Sequence, residues 1–243
     1  MELIDKLFES EFSKKLMENS VIVINKWRSI HAERFKKKLK YESFESVGTQ
    51  TELKFYNKSQ KFWAIQQVLE DLNNVFLFLK INSSKILEYY PHIKTQENYY
   101  KYHFENYIFR VTTLLDLTGK LGNILFETGI RDDKCNGYNF KEKLKKDHPK
   151  LAILVENILK DAEENKKKRN KKLHTGQLEI DELNEIAIWD DYSTVFSQNL
   201  NDDPFFKAMT DENIEKMIKN LKTSVINLIG KINIFLDKSI DKI

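Results

Sequence analysis

An arginine and a histidine lie five positions apart in a strongly basic stretch of this sequence. Arg169 is followed directly by Asn170, and His174 is followed by Thr175 and Gly176. In a helix, five positions correspond to about 1.4 turns, so we predict that the two side chains lie close to one face without stacking. If the helix ends between them, a turn brings both heads to one point.

The three side chains offer complementary chemistry. The guanidinium of Arg169 stays charged and presents a planar fork of donors that fits a phosphate. The imidazole of His174 can give and take protons near neutral pH. The amide of Asn170 can hold that imidazole or a ribose hydroxyl. Together these are the groups needed to cleave a phosphodiester without a metal ion.

The pattern resembles the R-x4-6-H motif of the HEPN superfamily, all-helical proteins of which many are ribonucleases. In the commonest form of that motif a polar residue, often asparagine, follows the arginine, and Arg169, Asn170 and His174 match it. No other arginine of the chain is followed by a histidine at an allowed spacing. The resemblance covers the region from Thr95 to the C-terminus. It predicts one all-helical domain, with an N-terminal helical extension over residues 1–90 and a HEPN-like core over residues 95–243.

The resemblance implies a metal-independent endoribonuclease for single-stranded RNA. The substrate's 2′-hydroxyl would attack, with His174 moving a proton, Arg169 holding the phosphate and Asn170 orienting the histidine or the ribose. The products would be a 2′,3′-cyclic phosphate and a 5′-hydroxyl end. HEPN proteins commonly join two motifs in a two-fold homodimer, which would supply the acid and the base together. Stand-alone members usually act as toxins or antiviral-defence effectors, so an antitoxin or defence partner is expected.

Five lysines surround the motif: Lys166, Lys167, Lys168, Lys171 and Lys172. They predict an RNA-binding surface, because phosphate attraction and catalytic groups coincide. The alternative is a helix C-terminus, which favours cations for electrostatic reasons alone. The same alternative applies to the motif, whose histidine would then be incidental to a helix cap. Arg110 is a candidate supporting residue, or else it forms a plain surface salt bridge.

A HEPN-like chain need not cleave RNA, since fold does not settle activity. The alternative function is a catalytically inactive module that binds RNA, nucleotides or another protein. Cleavage of single-stranded RNA in EDTA distinguishes the two.

Composition excludes several other classes of protein. Seven Gly and three Pro among 243 residues are few for a turn-rich β fold or a glycine-rich phosphate loop, and no common cofactor-binding motif is present. A single cysteine, Cys135, cannot form an internal disulfide or a cysteine-based zinc site. We therefore expect no cofactor and no bound metal. The N-terminus lacks an apolar signal-peptide region and no apolar run is long enough to span a bilayer, so a soluble cytoplasmic protein is expected.

The spacing of apolar residues predicts an up-and-down bundle of four or five core helices. Gly119 and Gly122 are expected to let a neighbouring helix approach closely. We expect one continuous helix from Pro149 into the motif, and Asp211 as the cap of the last helix. The predicted helices cover residues 2–17, 20–40, 59–81, 95–127 and 140–146, with a loop or a short hairpin over residues 41–57.

Overall fold

The structure is a computed structural model that describes residues 2–37, 39–40, 48–81, 85–86, 94–175, 183 and 204–243. Every regular element within these ranges is helical, so the all-α fold predicted from the sequence is confirmed. Short 3-10 turns lie at Asp132–Lys134 and Ile240–Lys242. The α-helices are α1 (Leu3–Leu7), α2 (Glu11–Lys36), α3 (Gln50–Leu79), α4 (Lys94–Leu125), α5 (Gly137–Asp147), α6 (Pro149–Asp161), α7 (Glu163–Thr175) and α8 (Pro204–Asp237).

The helices form two compact units, each with its own apolar core. The first unit comprises Met1–Gln67, Leu114–Leu159 and Ile229–Ile243. Phe140 and Phe235 are fully buried at its centre, where their ring centroids lie 6.0 Å apart in an edge-to-face arrangement. Aromatic pairs of this geometry contribute about 0.5–1.5 kcal/mol beyond the burial of their area.

The second unit comprises Val68–Thr113 and Lys160–Leu228, and it contains the Arg169–His174 motif. Phe76 of α3 and Tyr107 of α4 meet in its core with ring centroids 6.1 Å apart. The apolar stripe of α8 within this unit is buried at Ile214, Met217, Ile218, Val225 and Leu228. The predicted boundary between the N-terminal extension and the HEPN-like core lies at residues 90–95. Each of the two units contains residues from before and after this boundary. That division remains a prediction.

Two glycines of α4 allow the start of α5 to lie against it. A Cβ atom at Gly119 would lie only 2.6 Å from the backbone nitrogen of Gly137. At Gly122 it would overlap the ring of Phe140. The close approach predicted for these two glycines is therefore confirmed. The side chain of Asn136 caps α5 by accepting a hydrogen bond from the backbone N–H of Asn139 at 2.9 Å.

The loop or short hairpin predicted over residues 41–57 is wrong from Gln50 onward, because α3 begins there. Its start is fixed by a capping box between Thr49 and Glu52. The Glu52 carboxylate accepts the backbone N–H of Thr49 at 2.9 Å, and the Thr49 hydroxyl accepts the backbone N–H of Glu52 at 3.3 Å. The Thr-x-x-Glu spacing of a capping box is present in the sequence. The apolar residues of positions 50–57 follow a helical period too weakly to indicate a helix there.

Other helix boundaries also differ from the predictions. The helix opened by Pro149 ends at Asp161, and α7 begins separately after the buried residue Ala162. Asp211 does not cap the last helix, because α8 already begins at Pro204. No helix in the described ranges combines the length and apolar character that crossing a membrane requires.

Glu52 gives the start of α3 a specific dependence on pH. A hydrogen bond from Lys26, followed by those from Thr49, lowers the pKa of the Glu52 carboxyl from its ordinary 4.5 to about 2. A depressed pKa stabilises the folded state fully above pH 4.5, and that contribution is lost as the pH falls through about 2. We expect an NMR titration of the Glu52 carboxyl to show a midpoint near 2 that Lys26→Ala raises and Lys14→Ala leaves unchanged. A wild-type midpoint at the ordinary value would contradict this.

Candidate active site

The predicted motif lies entirely within α7, a helix that is polar on all sides. Leu173 is the only apolar residue between Glu163 and Thr175, and its side chain is 64% exposed. No residue of α7 is buried. A helix without an apolar stripe is held by polar contacts rather than by a core of its own.

Three residues of α7 attach it to α4. Lys172 forms an ion pair with Glu105 at 2.7 Å, and both side chains are about one-quarter exposed. Lys168 places its ammonium 5.5 Å from the centre of the Phe104 ring, a cation–π contact. Asn165 hydrogen-bonds the hydroxyl of Tyr107, whose pKa burial raises to about 12. Positions 165, 168 and 172 therefore define the side of α7 that faces α4.

The opposite side of α7 is exposed and carries part of the motif. At about 100° per residue, His174 lies roughly 140° away from the α4-facing side, and Asn170 lies within about 40° of His174. In agreement, His174 is exposed and Asn170 is half-buried. The histidine is thus directed away from α4.

The helix does not end between Arg169 and His174, as a converging turn would require, but continues to Thr175. The two positions are separated by about 140° around the helix, so the expectation that they lie close to one face is wrong. The side chain of Arg169 compensates in part. Its Nη2 donates to Oδ1 of Asn170 at 3.4 Å, which brings the guanidinium towards the face that carries His174.

The guanidinium of Arg169 retains unused hydrogen-bonding capacity. Its Nε is buried and has no hydrogen-bond partner within the described part of the chain. A buried guanidinium N–H without an acceptor is costly, and because this Nε is covered by protein, an anion would meet the outer Nη groups instead. Arg169 and Asn170 therefore offer a hydrogen-bonding site to one side of the exposed imidazole.

The structure divides the five predicted RNA-binding lysines by direction. Lys168 and Lys172 are turned towards α4, where the Phe104 ring and the Glu105 carboxylate hold them. Lys167 is exposed and pairs with Glu163 one turn earlier at 3.3 Å. Lys171 is exposed, and Lys166 is half-buried. The sequence alone does not distinguish a lysine on the exposed side from one that fixes the helix.

Arg110 forms a salt bridge, which was the alternative to a supporting role at the motif. Its Nε donates to a carboxylate oxygen of Asp71 on α3 at 2.8 Å, and both side chains are about one-third exposed. No hydrogen bond or ion pair between Arg110 and α7 is found in the described residues. A supporting role for Arg110 at the motif remains a prediction without a contact behind it.

A second histidine on α4 does not complete the site. His103 stacks on Phe78 of α3 with centroids 5.1 Å apart, and burial lowers the pKa of its imidazole. α7 approaches α4 through Phe104 and Glu105, so His103 lies on the side of α4 that packs against α3. Any second proton-transfer group at the motif must come from elsewhere.

Sequence reasoning missed Phe104, Glu105 and Tyr107 as the residues that position α7. No local signal could have found them, because each pairs with a residue about sixty positions away. As for metal chemistry, the described residues contain no group of three or more His, Cys, Asp or Glu side chains that could hold an ion.

The chain matches a family model described as HEPN_Cthe2314-like HEPN over residues 31–240. The match begins well before Thr95 and so takes in about sixty residues that the motif-based resemblance left unassigned. No curated protein and no solved structure matches the chain. With most of its length matched, an all-helical fold and the motif on an exposed helix, this chain belongs to the HEPN_Cthe2314-like HEPN family.

Proposed function

We propose that this protein is a metal-independent endoribonuclease that cleaves single-stranded RNA. The observation that carries the proposal is the arrangement on α7. The Arg169 guanidinium is hydrogen-bonded to Asn170, and Asn170 stands one turn from the exposed His174. Membership of a HEPN family supports the proposal, because many members of that superfamily are ribonucleases.

The substrate's own 2′-hydroxyl is the nucleophile in this mechanism. His174 takes the proton from that hydroxyl or protonates the leaving 5′-oxygen. Arg169 binds the scissile phosphate through its free N–H groups and offsets the charge that builds on the equatorial oxygens. Since Oδ1 of Asn170 accepts from Arg169, its amide N–H groups remain free to orient the imidazole or the ribose. The products carry 2′,3′-cyclic phosphate and 5′-hydroxyl ends, and DNA resists because it lacks the nucleophile.

A homodimer with a composite active site supplies what one motif lacks. In-line displacement benefits from an acid and a base, whereas the exposed side of α7 carries one histidine. Two copies of α7 related by a two-fold axis bring two histidines and two arginines to one phosphate. The polar, unburied character of α7 is compatible with a second chain or an RNA strand lying against it.

The exposed lysines give the RNA a path to the site. Lys167 and Lys171 lie on the same side of α7 as His174, within about 60° of it. They attract phosphates flanking the scissile bond. In the cell we propose a cytoplasmic toxin or antiviral-defence effector, restrained or triggered by an antitoxin or defence partner.

One observation favours a second candidate, a HEPN module that binds RNA, nucleotides or a protein without cleaving RNA. The imidazole of His174 is exposed, and no hydrogen bond to it is found among the described residues, so no such bond orients the ring within one chain. Binding without cleavage would follow if a second chain does not supply that orientation.

The deciding experiment incubates the purified protein with labelled single-stranded RNA in EDTA, beside a DNA strand of the same sequence. We expect cleavage of the RNA alone, leaving 2′,3′-cyclic phosphate ends. We also expect the activity per chain to fall when the protein is diluted below its dimerisation constant. RNA binding without cleavage at any concentration would favour the second candidate and reject the ribonuclease.

A further inference from the structure

The first unit contains a solvent-open cavity of about 620 Å³ that is lined mainly by polar and charged residues. Its walls are formed by α3, by the last turn of α4 and by the loop that follows α4. Cavities of this volume lie within the range of about 300–1,000 Å³ that is usual for small-molecule sites. Amide side chains of Asn57, Gln60 and Asn123 line it together with several charged groups, so it differs from an apolar packing defect.

Three lysines project into this cavity from one face of α3. Lys54, Lys58 and Lys61 are spaced by four and three residues, so they follow one another along successive helical turns. Like charges at this spacing repel, and the arrangement costs stability unless an anion lies among them. No Asp or Glu lies on the same face of these turns of α3 to offset the repulsion between the lysines.

Lys58 is the lysine whose charge is least compensated. Its Nζ donates to the backbone carbonyl oxygen of Lys242 at 2.5 Å and forms no ion pair within the described residues. Burial is the main cause that lowers the pKa of this ammonium. The carboxylate of Glu127 partly opposes that shift, and the neighbouring Lys54 lowers the pKa further. A half-buried ammonium that faces a cavity and donates to a neutral carbonyl favours the approach of an anion.

The acidic groups of the cavity do not neutralise its lysines. Asp132 is shared between Lys61, at 2.9 Å, and Lys120, at 3.3 Å. Glu127 pairs with Lys54 at 2.9 Å. The cavity itself therefore has three lysines and two carboxylates, and Asp132 is shared with Lys120 outside it, which leaves an excess of positive charge.

The cavity wall is preformed and includes a strained residue. Glu127 has a φ of 46°, in the left-handed region that favours glycine. Asn123 fixes the loop by hydrogen bonds to both the N–H and the carbonyl of Ile130, at 3.1 and 2.8 Å. Backbone strain held by a rigid surrounding structure often marks a functional site.

We propose that this cavity binds a small phosphate-bearing anion, with Lys58 and Lys61 as its main phosphate ligands. Two or more phosphates are favoured over one, because the lysines are spread over two turns of α3. Asn57 and Gln60 hydrogen-bond the remaining polar groups of the ligand. The site is distinct from the residues of α7 and does not depend on the proposed ribonuclease activity.

The test is calorimetric titration of the full chain at low salt with inorganic phosphate, tripolyphosphate and adenosine triphosphate in separate experiments. We expect tripolyphosphate to bind more tightly than phosphate. Lys58→Met should weaken binding roughly ten- to hundredfold, the loss expected for one charge-assisted hydrogen bond. Lys150→Met removes the same charge from an exposed position outside the cavity and should change the affinity less than about twofold.

Lys61→Met provides a second variant, which keeps the test valid if Lys58→Met fails to fold by circular dichroism. Tighter binding of adenosine triphosphate than of tripolyphosphate would identify the ligand class as a nucleotide. Equal affinity for adenosine triphosphate and tripolyphosphate would show that the phosphate groups alone are sufficient for binding. Absence of binding by all three probes at millimolar concentration, or equal losses in the Lys150→Met control, would overturn the proposal.

Discussion

Replacing His174 with alanine is expected to lower the rate of RNA cleavage about 10²–10⁴-fold, the usual contribution of a positioned proton-transfer group. The imidazole is exposed at the end of α7 and makes no hydrogen bond with a described residue. Its loss should therefore leave the free energy of unfolding within about 0.5 kcal/mol of wild type. Single-turnover kinetics with labelled RNA in EDTA measure the rate, and urea unfolding measures the stability.

The neighbouring variants should follow the chemistry of each side chain. Arg169→Ala is expected to cost about 10²–10³-fold, and Arg169→Lys should recover little of that loss because an ammonium lacks the guanidinium fork. Asn170→Ala should cost roughly tenfold, the equivalent of one hydrogen bond. Thr175→Ala, next to the histidine but outside the motif, is the matched control and should cleave normally. If His174→Ala retains the wild-type rate, the assignment of the site is wrong.

Introducing a methyl group at Gly119 is expected to destabilise the first unit, whereas the same change at Gly230 should stabilise it. At Gly119 the new Cβ would lie 2.6 Å from backbone atoms of Asn136 and Gly137, and backbone cannot rotate away as a side chain can. The start of α5 would have to move, at a cost near the upper end of the roughly 1–3 kcal/mol typical of overpacking. At Gly230 the Cβ meets no described atom within 4 Å.

Alanine at Gly230 gains helix propensity without a clash, so a stabilisation of about 0.5–1 kcal/mol is expected. The midpoints of urea unfolding should therefore move in opposite directions for the two variants. A Gly119→Ala protein as stable as wild type would show that α5 is not held against α4 at this glycine. It would also remove the physical reason for glycine there.

Local features of the sequence are sufficient to predict the helical class and much of the core. The apolar spacing of the last helix predicts its buried residues, because side chains three and four positions apart share a face whatever lies opposite. The two glycines of α4 predict a close approach for a similarly local reason, since no other residue of that helix lacks a Cβ. The helix begun at Thr49 and Glu52 was also encoded locally, through its capping box, although the apolar period did not reveal it.

The sequence also identified the motif, and through it the HEPN superfamily to which the matched family belongs. Arg169, Asn170 and His174 are recognisable because the residue types and their spacing together are uncommon. The spacing could not predict how the three side chains are arranged around the helix. A helix that continues to Thr175 separates Arg169 from His174, and only the hydrogen bond between Arg169 and Asn170 brings the guanidinium back.

Tertiary structure alone decided which cations of the basic run are exposed. Lys168 and Lys172 are chemically identical to Lys167 and Lys171, yet the first two are fixed on α4 by Phe104 and Glu105. The ion pair between Arg110 and Asp71 likewise joins residues thirty-nine positions apart. Such pairs depend on which helices come to lie side by side, which is set by the packing of whole apolar faces. No window of sequence around a lysine or an arginine contains that information.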